Sequence, residues 1–338
     1  ALKGLPQDYI DAHPLGKDGK IRITTDYPDF YPFQNYATDG ANRRALYEQF
    51  LRRGYPDNKA ILKKVLSLRH EYAGLLGYPS WAAYNSEDKM VKSAEAIDRF
   101  IGDLTTIARP RSDADIKQLL ERKKKDDPQA TQIEVWDRFF YVGKVRKEQY
   151  AFDSQEVRQY LPFDQVKDGI FDLYSKLFGV TFHRLADAPV WHEDVMPYSM
   201  HMDGQEVGRF FLDMHPRANK YKHAAVFPVQ HGTIGGPRPV ATMVCNFPKP
   251  VDASNPGLME HNQVVTFFHE FGHLIHHLLG RNTNWVNMSG FYVEWDFVEA
   301  PSQLLEEWAW DPDVLAGFAH HHKTGKPIAK DLVVRMRA

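Results

Sequence analysis

Cysteine is almost missing from this sequence. Cys245 is the only one in 338 residues, which excludes an intramolecular disulfide and any zinc site built from cysteines. An excess of one charge is missing too, since 42 Lys and Arg stand against 44 Asp and Glu, a formal net charge of −2. That balance gives no electrostatic footprint for nucleic acid or for an anionic membrane surface, and neither is an expected partner. No apolar run reaches the roughly 18 residues that a membrane-spanning helix needs. There is no internal repeat and no low-complexity segment. The glycine-rich stretch His231-Gly232-Thr233-Ile234-Gly235-Gly236-Pro237 lacks the Lys-Ser/Thr ending of a phosphate cradle and has no helix directly after it. An initiator Met and the apolar stretch of a signal peptide are also absent. With so little cysteine a reducing compartment fits, and the expected location is cytoplasmic. A monomer is expected.

What remains is an ordinary globular composition, 43% hydrophobic and 25% charged, which excludes a disordered polymer. Up to about residue 185 the chain reads mainly as helix. Apolar positions recur at three- and four-residue spacing from about Asn42 to Arg53, Asn58 to Leu76 and Ser93 to Asp126. Pro79 can start a further short helix from Ser80 to Asn85. Tyr27, Phe30, Tyr31, Phe33 and Tyr36, with two prolines among them, read as core packing or a docked loop. From about Pro189 the pattern changes to alternation. Tyr198–Met202 and Val207–Leu212 flank the hairpin signal Asp203-Gly204, and Pro239–Phe247 reads as a third strand. The expected fold class is therefore α+β, mainly α with a small β-sheet. A mostly helical part covers 1–185, and a part with the sheet covers 186–338.

After Pro256 the helical pattern returns, and His261 to Leu279 is apolar on most sides, as in a buried helix. Gly280 suits a left-handed residue past its end. Inside it lies His269-Glu270-Phe271-Gly272-His273. Residues four apart share a helix face, so two imidazoles there can each reach one metal ion at roughly 2.0–2.1 Å. Glu270 then stands beside the metal, where it can take a proton from a water that the metal acidifies. Two His and a Glu at these spacings arise by chance in roughly one such chain in twenty, and satisfied core histidines are the bland reading. Against that reading, titratable groups on a buried helix are costly unless paired or metal-bound. Gly272 costs about 1 kcal/mol against Ala in a helix, which points to a packing or functional reason.

A hydrolytic metal needs a third protein ligand. The extended motif with a later third His fails, because His276 stands where Gly is required and Leu279 where that His should be. His276 and His277 are expected in supporting or partly exposed roles. A carboxylate from a second helix, read from roughly Asp296 to Trp310, is the alternative, with Glu294 and Glu299 as candidates that spacing cannot separate. Asp296 and Glu299 are three apart, so one could bind metal while the other orients a ligand His.

The segments Phe267-Phe268-His269-Glu270-Phe271-Gly272-His273 and Asp296-Phe297-Val298-Glu299-Ala300-Pro301-Ser302-Gln303 resemble the thimet oligopeptidase family of zinc peptidases, which includes neurolysin, oligopeptidase A and the peptidyl-dipeptidases. Leu212-Asp213, Pro216-Arg217, Val244-Cys245-Asn246-Phe247 and Lys323-Thr324-Gly325-Lys326-Pro327 are similar to it in the family's order. The resemblance implies that Glu299 is the third ligand of one zinc ion per chain, beside His269 and His273. It implies a mostly helical zincin-type fold with a small sheet beside a deep channel, and short unstructured peptides as substrates. The family's later Gly- and Tyr-rich segment, whose His and Tyr side chains stabilise the tetrahedral intermediate, has no match here. Its long N-terminal helical portion is also unmatched, so a central piece of a longer enzyme is expected, ending in a helical pattern at Met336-Arg337-Ala338.

The expected activity is hydrolysis of peptide bonds with Glu270 as general base. Two other readings compete with it. One is a catalytically impaired protein that binds zinc or peptide. The other is a zinc aminopeptidase, which would need a closed end recognising a free amine.

Overall fold

Asp39, Ser80 and Ser93 stand at or shortly before the starts of three runs of helical periodicity. In the structure, a computed structural model that describes residues 2–337, each accepts hydrogen bonds from backbone N–H groups of the first turn that follows. The chain divides into two units, Ala1–Val145 and Arg146–Ala338. The first contains α1 (Gln7–Asp11), α2 (Tyr27–Tyr36), α3 (Gly40–Leu51), α4 (Asp57–Leu75), α5 (Trp81–Ser86) and α6 (Ala94–Asp126), and α7 (Arg138–Tyr150) runs across its end. The aromatic cluster read as core or docked loop is helix α2. Pro28 falls in its first turn, where a missing N–H costs nothing, and Phe30 and Phe33 are buried.

A buried cation holds part of this unit together. Arg43 donates to Asp137 Oδ1 at 2.5 Å, to the Ala37 carbonyl at 2.6 Å and to the Trp136 carbonyl at 3.1 Å, while Lys123 reaches Asp137 Oδ2 at 2.7 Å. By contrast, Ile61, Leu62, Leu66, Phe100 and Ile107 on α4 and α6 are exposed.

The second unit carries α8 (Ser154–Val157), α9 (Phe163–Phe178), β1 (Val180–Arg184), β2 (Met196–Met202), β3 (Gln205–Asp213), β4 (Ala225–Gln230) and β5 (Val240–Val244). After the sheet come α10 (His261–Leu279), α11 (Glu299–Glu306), α12 (Pro312–Phe318) and α13 (Lys330–Met336). Strand order is β1-β2-β3-β5-β4, antiparallel throughout except for the parallel pair β3/β5. Asp203 and Gly204 take positive φ (51° and 75°) in the hairpin turn that sets Met202 opposite Gln205. Met200, Phe210, Leu212 and Met243 of the sheet, Val166, Ile170 and Tyr174 of α9, and Phe267, Phe268 and Phe271 of α10 form one buried core. The Tyr174 hydroxyl donates to the Phe268 carbonyl at 3.0 Å.

Two strands went unread in the sequence. β1 is short and follows directly on the left-handed Gly179. β4 is an edge strand with exposed Phe227 and Val229, and Pro228 inside it argues against a strand. The division at Val145/Arg146 also differs from the 185/186 boundary drawn where alternation begins. The reason is that α9 buries its apolar face in the same core as the sheet and α10. The helical pattern at the C-terminus is α13, which ends at Met336, and Ala338 lies outside the described residues. Among the described residues no helix is long and apolar enough to cross a membrane.

The ends of β3 and β5 are clamped by the buried Lys220, whose Nζ donates to the carbonyls of Asp213, His215 and Cys245 at 2.6–2.9 Å. Burial works to raise the Asp213 carboxyl, but bonds from Arg217, Lys220 and Trp191 outweigh it and hold it well below the usual carboxylate range.

Candidate metal centre

The α10 helix opens with a reciprocal cap. Glu260 accepts from the backbone of Gln263, and the Gln263 side chain accepts from the Glu260 backbone at 2.9 Å. From that start the helix runs unbroken to Leu279, so His269 and His273 fall one turn apart on one face. Opposite them lies α11. A Cβ on Gly272 would stand 3.0 Å from Ser302 Cα and 3.2 Å from Leu305 Cδ1, so the glycine is what allows α11 to come this close. That is the packing reason expected for Gly272.

At the contact three candidate ligand atoms converge. His269 Nε2 lies 3.2 Å from His273 Nε2 and 3.1 Å from Glu299 Oε2, and His273 Nε2 lies 2.9 Å from the same oxygen. Among the described residues, His269, His273 and Glu299 form the group able to hold a metal ion. The donor set fits one. Bonds of roughly 2.0–2.2 Å in a near-tetrahedral site place ligand atoms about 3.3 Å apart, close to the separations found here. Two imidazoles and one carboxylate also match the ligand chemistry of hydrolytic sites, which keep a position open.

Neighbouring groups aim these three side chains. Glu306 Oε1 accepts from His269 Nδ1 at 2.6 Å, which leaves Nε2 facing the other two ligands. The Ser302 hydroxyl donates to Glu299 Oε2 at 2.9 Å. Partial burial works to raise the Glu299 carboxyl, while the Ser302 bond and the two imidazoles outweigh it and leave it below its ordinary value. Burial lowers the His273 imidazole, which favours the neutral, metal-binding form.

Glu270 is buried, and its Oε2 has no hydrogen-bond partner. Burial pushes its carboxyl up to about 7, with His269 opposing the shift and the Glu299 charge adding to it. A carboxyl that ionises near neutrality can both take and return a proton.

The carboxylate on His269 is Glu306, a residue outside the sequence candidates. Helix α11 starts at Glu299, and Asp296 precedes it in a turn. Glu294 is not part of the ligand group. His277 is fully buried and donates from Nε2 to the Gln230 carbonyl at 3.1 Å, and neither it nor His276 joins the group. Gly280 is not left-handed (φ −72°). It is needed because a Cβ there would stand 2.6 Å from the Gly290 carbonyl oxygen. Cys245 is fully buried, and burial first, then the charge of Glu270, pushes its thiol up.

Ser302 and Glu306 were missed in the sequence, although a signal was present. Glu299, Ser302 and Glu306 stand at i, i+3 and i+7, a polar stripe along one face of a helix.

Known proteins share much of this sequence. Residues 33–338 match Peptidase family M3. The chain is 32% identical to oligopeptidase A of Escherichia coli (strain K12) over 100% of its own length and 52% of that protein's. It is 36% identical to the thimet-like oligopeptidase of Dictyostelium discoideum, over 100% of this chain and 53% of the relative. With saccharolysin of Saccharomyces cerevisiae the identity is 34%, over 98% and 50%. The chain thus spans about half the length of the curated relatives it matches. The match over nearly all of its residues carries one conclusion: this chain belongs to Peptidase family M3.

Proposed function

We propose that this chain carries the centre for zinc-dependent hydrolysis of peptide bonds in short oligopeptides. One zinc ion would be held by His269, His273 and Glu299, and Glu270 would be the general base. The observation that carries the reading is the buried, unpartnered Glu270 carboxyl beside a triangle of two imidazole nitrogens and one carboxylate oxygen. Relatives named as oligopeptidases support the substrate class.

When bound, zinc supplies a Lewis acid that polarises a carbonyl oxygen and brings the pKa of a water toward neutrality. The protein's own residues do the rest. Glu270 accepts the proton of the attacking water on its free oxygen and passes it to the departing amine. Glu306 keeps the His269 ring in one tautomer and orientation, so that Nε2 is the free nitrogen. The proposed substrate is a short peptide, blocked or free at its amino end.

The test is Glu270→Gln. Its zinc content should match that of wild type, while cleavage of free and N-acetylated oligopeptides falls by roughly 10²–10⁴-fold. Unchanged turnover would exclude Glu270 as the base, and rejection of N-acetylated peptides by wild type would favour an aminopeptidase.

A further inference from the structure

Glu299 differs from the other two ligands in how it is held. Its side chain is 50% exposed, against 21% for His269 and 12% for His273, and it sits in the first turn of α11. A half-exposed glutamate samples several rotamers, and ordering it on binding carries an entropic cost. Besides the two imidazoles, a neighbour on its own helix restrains it. Ser302, one turn on and fully buried, places its hydroxyl 2.9 Å from Glu299 Oε2 and 3.0 Å from the Glu299 carbonyl oxygen. Oε2 is the same oxygen that faces both imidazoles. A carboxylate oxygen has two lone pairs, so a hydroxyl on one leaves the other directed at the histidines.

Ser302 is itself fixed. Its Cα lies against Gly272, in the middle of the His269–His273 turn, at a distance that a Cβ on Gly272 would reduce to 3.0 Å. The serine backbone is therefore registered against the two histidine ligands, and its hydroxyl transmits that register to the third.

We propose that Ser302 is a positioning residue for the metal site, pre-setting the Glu299 carboxylate toward His269 and His273. The proposal rests on the reading of those three residues as the zinc ligands.

The test uses the full 338-residue chain, with zinc affinity measured by competition against a chromophoric chelator and the thermal midpoint of each metal-free protein measured alongside. Ser302→Ala should bind zinc about 10–100-fold more weakly than wild type, with the metal-free midpoint little changed. Ser302→Thr, which keeps the hydroxyl, should recover most of the affinity. In a Glu299→Gln background, Ser302→Ala should cost little further affinity, because the serine acts through that carboxylate. Wild-type affinity in Ser302→Ala would overturn the proposal, as would an equal loss in the Glu299→Gln background. If the alanine variant does not fold, Ser302→Thr carries the test, and a loss of about 10–100-fold in zinc affinity there despite the retained hydroxyl would overturn the proposal. A folded wild type that takes up no zinc would instead bring down the metal-site reading and this proposal with it.

Discussion

The Nδ1 of His269 lies 2.6 Å from Oε1 of Glu306, a residue seven positions beyond Glu299 on the neighbouring helix. This contact decides that Nε2 is the imidazole nitrogen facing His273 and Glu299. Partners of this kind, placed behind a ligand, are worth roughly 10–100-fold in metal affinity. Glu306→Gln should weaken zinc binding by about that factor, because the amide loses the charge that favours a proton on Nδ1. Chelator competition measures it. Equal affinities for wild type and variant would show that His269 orients itself.

Gly272 sets up an opposition between two effects of known size. In an exposed helix Gly→Ala gains about 1 kcal/mol of propensity. At this position the new Cβ meets a backbone atom at 3.0 Å and a side-chain carbon at 3.2 Å, and overpacking of this kind costs typically 1–3 kcal/mol. Gly272→Ala should therefore be destabilising on balance, by on the order of 1 kcal/mol, in urea unfolding of the metal-free protein. It should also loosen zinc binding, since α11 carries Glu299, Ser302 and Glu306. A variant more stable than wild type would mean that α11 yields to the added methyl group.

His261, at the start of α10, gives a pH dependence with a definite sign. It is buried, donates from Nε2 to the Ala309 carbonyl at 2.7 Å, and burial pushes it down to about 4, with that hydrogen bond opposing the shift. Between this value and the ordinary ~6.5 the unfolded chain binds more protons than the folded one, so stability falls as the pH drops. The contribution is complete above about pH 6.5 and amounts to a loss on the order of 2 kcal/mol by pH 5. Urea midpoints at pH 7.5 and 5.0 should differ less in His261→Gln than in wild type. An equal difference in both would assign the proton uptake to other buried histidines.

Local pattern goes far in this protein. The limits of α10, the capped starts of α5 and α6, and the Asp203-Gly204 hairpin are all legible as periodicity or turn chemistry. The one-face placement of His269 and His273 needs nothing beyond a continuous helix. Burial was less legible, since α4 and α6 show helical apolar spacing and yet leave Ile61, Leu66 and Ile107 exposed. Periodicity specifies a face, whereas coverage depends on what lies opposite.

The same distinction governs the metal group. From residue types and spacing alone, Glu294 and Glu299 were equal candidates as ligands. Family resemblance favoured Glu299 but was silent on Ser302 and Glu306. Folding separates these carboxylates, because α11 begins at Glu299 and packs on α10 at the Gly272–Ser302 contact. The register of one helix against another is a long-range relation, set by which small side chain admits the closest approach. No local spacing within either helix contains that information.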